Sequence, residues 1–218
     1  MAQDATTIGH LALHYGAASD GPAAAKLLTL LGFTETQMLP LPGGNFYRFV
    51  VDDRHHAAGD GIIYLSVVPE PQQALVDTIR AALKVGEIDE HPCVAGMRGM
   101  LEADPEASFH LGFLVPSLDR LEQIVLGLKE AAANDPDLKG RVEFGFNRAR
   151  PGDRDVDARL DASPVFGSVT RYAYGRNGVQ VFVKTDLLKS GTLGEGAVLE
   201  LDYVFPGKTS HILSVVEL

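Results

Sequence analysis

The chain has 218 residues, and its 45% hydrophobic and 22% charged content is ordinary globular usage, which excludes a disordered polyelectrolyte. With 19 Lys+Arg against 29 Asp+Glu the formal charge is −10, so a phosphate backbone meets a repulsive average field and no nucleic-acid partner is expected. The single cysteine, Cys93, excludes an internal disulfide framework and a cysteine-built zinc site, and fits a reducing, cytoplasmic setting; no leader-like pattern opens the chain and no run of about 18 apolar residues predicts a membrane span or a membrane partner.

In chain order, residues 8–16 alternate as a strand, with Ile8, His10, Ala12 and His14 on one face and Gly9, Leu11, Leu13 and Tyr15 on the other. Asp20 offers a helix cap and Pro22 a first-turn residue before a helix over 23–31, closed by Gly32. Strands follow at 34–39, 46–51 and 61–68, separated by the Pro40–Gly44 turn cluster and by a polar loop holding His55 and His56. Residues 71–85 read as an amphipathic connecting helix, and 86–106 as an irregular bridge rich in Gly, Pro and acidic residues.

The pattern then restarts. Residues 108–115 form a strand, Ser117 caps a helix over 118–133, and strands follow at 141–146, 169–174 and 179–184. The intervening 147–162 carries mixed charges and reads as a solvated loop. Asn177-Gly178 favours a tight hairpin between the last two of those strands. A further hairpin is expected from 198–205, a Pro206-Gly207-Lys208 turn and 211–218. His10–Tyr15 can be laid on His110–Val115 at an offset of 100 residues, and Gly61–Leu65 on Gly178–Phe182, so the chain is an internal repeat of strand, helix and three strands.

Two such modules resemble the vicinal oxygen chelate superfamily, which includes glyoxalase, bleomycin-resistance proteins and extradiol dioxygenases. The resemblance rests on 8–16 with its helix, on 109–115 with its helix, and on the Tyr174–Phe182 hairpin, and it covers about 7–186. It implies an α+β fold of two βαβββ modules forming a curved mixed-sheet cup. The modules are expected at 1–86 and 108–190, joined by a linker at 87–107 and followed by a C-terminal hairpin extension at 191–218. A cup of this family takes a small organic molecule.

In metal-dependent members the ligands stand on the first and last strands of each module, which places His10 and His110 at ligand positions and Tyr64 and Phe182 at the remaining two. Phenylalanine cannot coordinate and a neutral phenol is a poor ligand, while a first-row cation needs about three protein donors. A one-residue register shift would offer Gln180 or Lys184. His14 shares the face of His10 but lies about 13 Å along an extended strand. Glu200 and Asp202, on one face of the C-terminal hairpin, could supply a carboxylate from outside the modules. A plain structural role competes at each position: the histidines as hydrogen-bonded polar residues, Tyr64 and Phe182 as core aromatics or a stacking wall.

The reading that follows is a small-molecule-binding protein gripping its ligand with Tyr64, Phe182, His14 and Gln180, with no cofactor required. Its alternative is a metal-dependent lyase, isomerase or ring-cleaving dioxygenase holding a divalent metal (Fe, Zn, Ni or Mn) on His10 and His110. A third course keeps catalysis without a metal, one of these histidines moving a proton. Whether the chain is an enzyme stays open. The extra hairpin would protect a sheet edge or build a homodimer contact.

Overall fold

The computed structural model describes residues 8–52, 59–107, 109–173 and 177–207. The fold is mixed α+β, with parallel and antiparallel strands. The chain divides into two compact units, 1–94 with 186–197 and 95–185 with 198–218. Among the described residues no helix is long and apolar enough to cross a membrane.

In the first unit β1 (His10–Tyr15) is followed by α1 (Gly21–Leu30), β2 (Thr34–Leu39), β3 (Phe46–Val50) and β4 (Ile62–Val67). Its sheet runs β2-β3-β4-β1, with β1 parallel to β4 and the other pairs antiparallel. Side chains alternate across the strands, so Ile63 and Leu65, with Tyr47, Phe49 and Tyr15, turn inward and are buried. Leu27, Leu28 and Leu31, at helical spacing around α1, are buried as well. Tyr15 donates from its hydroxyl to the Asn45 carbonyl at 2.6 Å. Gly44 sits at φ +140°, and a Cβ there would come within 2.6 Å of that hydroxyl, so the turn before β3 requires glycine. Asp20 caps differently from expectation: its carboxylate accepts from the Ala17 amide across the short 3-10 turn Ala18–Asp20 and does not cap the first amides of α1.

The connecting helix is α2 (Glu70–Ala82). The expected irregular bridge contains a second helix, α3 (Pro92–Ala103), of which only Val94 is buried. Its internal Gly96 and Gly99 each weaken the helical signal by about 1 kcal/mol relative to alanine, which hid it from pattern reading.

The second unit repeats the first. β5 (His110–Leu114) leads through α4 (Leu118–Asn134) to β6 (Val142–Asn147), β7 (Gly178–Ser190) and β8 (Glu195–Val204), of which 186–190 of β7 and 195–197 of β8 belong to the first unit. Here β6 pairs antiparallel with β7, β8 lies beside β7, and β5 is parallel to β8. Ser117 caps α4 as expected, accepting from the Arg120 amide at 3.1 Å, and Leu118, Leu121, Ile124, Val125 and Leu128 are buried.

The later element boundaries differ from the sequence reading. The third strand is β7, which continues to Ser190, and the fourth is β8; β8 is therefore the closing strand of the repeat and no extension beyond it. The expected partner strand at 211–218 lies outside the described residues. Residues 169–173 make only an isolated bridge, Tyr172 to Arg148, where a strand was expected. The charged stretch folds into α5 (Arg154–Asp161), capped by Asp153, which accepts from the Asp155 and Val156 amides. Asn177-Gly178 has the sequence of the turn between strands three and four, yet that turn is made at 191–194, where Gly191 and Gly194 take positive φ.

Candidate functional site

The parallel pairing of first and fourth strands fixes which residues share the open face of each sheet. In the second unit His110 lies opposite Val198, Gly112 opposite Glu200 and Leu114 opposite Asp202. The antiparallel β6–β7 ladder adds Asn147 opposite Gln180 and Gly145 opposite Phe182. On this face the polar side chains form one hydrogen-bonded run. Asn147 Nδ2 donates to Gln180 Oε1 at 2.9 Å, Gln180 Nε2 donates to Glu200 Oε1 at 2.7 Å, and His110 Nε2 lies 2.9 Å from Glu200 Oε2. Asn147, Gln180 and Glu200 are all buried, so the run satisfies groups that would otherwise be costly inside the protein.

Two more carboxyls join it. Asp202 hydrogen-bonds Glu200, and Gln180 hydrogen-bonds Glu106, which stands on the 3-10 turn Pro105–Ala107 before β5. Burial first, then the charge of Glu200, pushes the Asp202 carboxyl up to about 8, so at neutral pH it carries its proton and donates to Glu200. Glu106 is raised as well, by burial foremost, with Gln180 pulling the other way and Glu200 adding repulsion. Among the described residues Asp202 Oδ1, Glu106 Oε1 and Asn147 Oδ1 are buried and accept no hydrogen bond. Gly112 is exposed, so β5 places no side chain over the carboxyls of Glu200 and Asp202. The surface is acceptor-rich and open at that point.

The first unit bears a different face. His10 lies opposite Ile62, Ala12 opposite Tyr64, His14 opposite Ser66, and Arg48 of β3 opposite Tyr64. The Tyr64 ring is flanked by His10 at 5.2 Å and Phe46 at 5.4 Å between centroids. His14 Nδ1 is 3.2 Å from the Ser66 hydroxyl. Arg48 Nη1 donates to Thr36 Oγ1 at 2.8 Å, at the bulge of β2.

Of the residues singled out from sequence, His10 and Tyr64 meet in the first unit, and His110 and Gln180 are linked through Glu200 in the second. His14 turns to Ser66. Phe182 stands on the third strand and is fully buried, so the counterpart of Tyr64 on a fourth strand is Glu200. Glu200 and Asp202 thus belong to the module's own closing strand. Their i, i+2 spacing carried a signal of a shared face; Glu106, inside a three-residue turn, and Asn147, the last residue of β6, carried none. His55 and His56 lie outside the described residues. His91 Nδ1 lies 3.0 Å from the Cys93 thiol, at the start of α3.

A divalent cation would need donors beyond this pair. His110 and Glu200 are two, and among the described residues no group of three His, Cys, Asp or Glu side chains has the arrangement to hold a metal ion.

No family model matches the chain and no curated protein matches it. Among solved structures, a protein of Ralstonia eutropha JMP134 provisionally assigned to the glyoxalase superfamily is similar over 89% of this chain and 71% of its own, at 13% identity and a TM-score of 0.19. Similarity at that level carries no argument about fold or chemistry.

Proposed function

We propose that the chain is a small-molecule-binding protein and that the open face of the second unit is its recognition surface. The ligand class is a small polar organic molecule bearing N–H or O–H donors. The observation that carries this reading is the run Asn147–Gln180–Glu200–His110 with Asp202 and Glu106 beside it, uncovered at Gly112. At the Gly112 opening the bordering oxygens are Asp202 Oδ2 and Glu200 Oε2, 3.6 and 3.8 Å from where a Cβ would stand. A ligand's donors reach them there, each charge-assisted bond worth about 1.5–3 kcal/mol. Glu200 fixes His110 at one ring nitrogen, so the imidazole is oriented toward whatever occupies the surface. No cofactor is required.

The test is a thermal-shift series with small amines, polyols and amides on the wild type and on Gly112→Leu, Glu200→Gln and Gln180→Leu. A Cβ at residue 112 would meet Asp202 Oδ2 at 3.6 Å and Glu200 Oε2 at 3.8 Å, ordinary contact distances, so a side chain placed there covers these carboxyls. At a probe concentration of 100 Kd the wild type gains about 2.7 kcal/mol of apparent stability, and Gly112→Leu removes that gain. A series in which no probe binds, or in which Gly112→Leu leaves binding intact, ends the reading. Stoichiometric binding of Mn2+, Ni2+, Zn2+ or Fe2+ that disappears in both His110→Ala and Glu200→Gln replaces it with the metal-dependent alternative.

A further inference from the structure

We propose that the open face of the first unit is itself a binding site, and that it takes a planar aromatic carboxylate. Three rings lie side by side across β3, β4 and β1, with Tyr64 between Phe46 and His10 at centroid distances of 5.4 and 5.2 Å. Phe46 and Tyr64 are half-buried and His10 is exposed, so the rings present a wall with one side open. Aromatic rings at this spacing offer a flat ligand offset or tilted stacking, worth about 0.5–1.5 kcal/mol beyond the area covered.

Charge selects the ligand's sign. Arg48 stands directly opposite Tyr64 in the β3–β4 ladder, on the same face as the rings. Its Nη1 is tied to Thr36 Oγ1 at 2.8 Å, and among the described residues no carboxylate pairs with it. One nitrogen is therefore anchored, which orients the guanidinium and leaves its other donors for a bidentate acceptor; a carboxylate fits that fork. Around Arg48 the ladder partners on this face (Gln37, Leu39, Phe46, Val50, Ile62 and Tyr64) include no acidic residue, although the whole chain carries a formal charge of −10. A cationic head on an aromatic floor is complementary to an aryl carboxylate, and to neither an aryl amine nor an aliphatic acid.

Calorimetric titration of the full chain with 2-naphthoate, 2-naphthamide and 2-naphthylmethylamine tests this. The acid binds at least about ten-fold more tightly than the amide, a difference of about 1.4 kcal/mol, and the amine binds weakest. Arg48→Gln abolishes the preference for the acid, and Arg48→Lys restores only part of it because an ammonium cannot fork. Tyr64→Leu weakens acid and amide together. Arg154→Gln, which removes an exposed arginine elsewhere, changes nothing. Equal affinity for acid and amide, no saturable binding of the acid up to about 10 mM, or an acid preference that survives Arg48→Gln overturns the proposal. The acid–amide comparison needs only the wild type, so a variant that fails to fold does not shield it.

Discussion

The two units share a backbone and differ in the chemistry of one face. The parallel ladders set His10 against His110, Ala12 against Gly112, Tyr64 against Glu200 and Ser66 against Asp202. The first unit's open face is aromatic and basic; the second's is acidic and amide-rich. On the opposite faces both remain apolar, with Ile63, Leu65 and Phe49 buried in one and Leu199, Leu201 and Val181 in the other. Alternation explains the division. A strand sends neighbouring side chains to opposite faces, so selection can rewrite every second residue for binding while its neighbours keep the core.

Three substitutions break or sharpen this comparison. The largest effect belongs to Phe182→Ala. Its ring is fully buried, so truncation costs about 3–5 kcal/mol in urea melts. The half-buried Tyr64, on the first unit's open face, loses about 1–2 kcal/mol on the same change. Phe182 stands on the same face as Gln180, so equal costs would mean that this part of the second unit's face is no better buried than the surroundings of Tyr64 in the first.

Next is Arg159→Ala. Arg159 donates to both oxygens of Glu122 at 3.0 and 2.8 Å, and the Ser163 hydroxyl donates to the same carboxylate at 2.5 Å. This tie fixes α5 to α4 in the second unit, where the first unit has only the Pro40–Asn45 turn between its second and third strands. Burial raises the Glu122 pKa, but the Arg159 and Ser163 hydrogen bonds outweigh it and hold the carboxyl below its ordinary value. Removing Arg159 costs about 2–3 kcal/mol at neutral pH. The stabilisation is complete above the ordinary glutamate pKa and is lost as pH falls through the depressed value, so wild type and variant converge in acid. A gap that stays constant down to acid denaturation would show that the carboxylate is not what Arg159 holds.

The smallest effect has the opposite sign. Asp202 keeps a proton in the folded chain to about pH 8 and loses it near 3.8 when unfolded. Between those values the folded state binds more protons, so stability falls as pH rises. Asp202→Asn keeps a donor toward Glu200 and removes that titration. It raises stability by about 1–2 kcal/mol at pH 8, discounted for partial exposure, and changes little below pH 4. Ser66→Ala, at the matching position of the first unit, shows no such pH trend.

Much of the duplication was legible from sequence because it is written in long-range order. Leu118, Leu121, Ile124, Val125 and Leu128 announce one buried helix face, and His10 and His110 open matching strands. The closing strand of the second module was displaced because a hairpin signal, Asn177-Gly178, is local and carries no information about which strand it precedes. Moving that register puts Phe182 in the place of Glu200 and leaves Glu200 and Asp202 outside the modules. Glu106 was invisible for a different reason: its partner Gln180 is far away in sequence and no periodicity links a short 3-10 turn to a strand.

One ladder has a consequence for biosynthesis. β1 finds its outer neighbour in the far end of β7, His14 against Lys189 and Tyr15 against Leu188, within the same unit. A ribosome that has delivered only the first half of the polypeptide has therefore made a sheet with an unguarded border, ready to zip onto another growing chain. The earliest-made half must wait for some of the last-made residues, so expressing it alone invites clumping, and stalled translation products should be prime customers for chaperones.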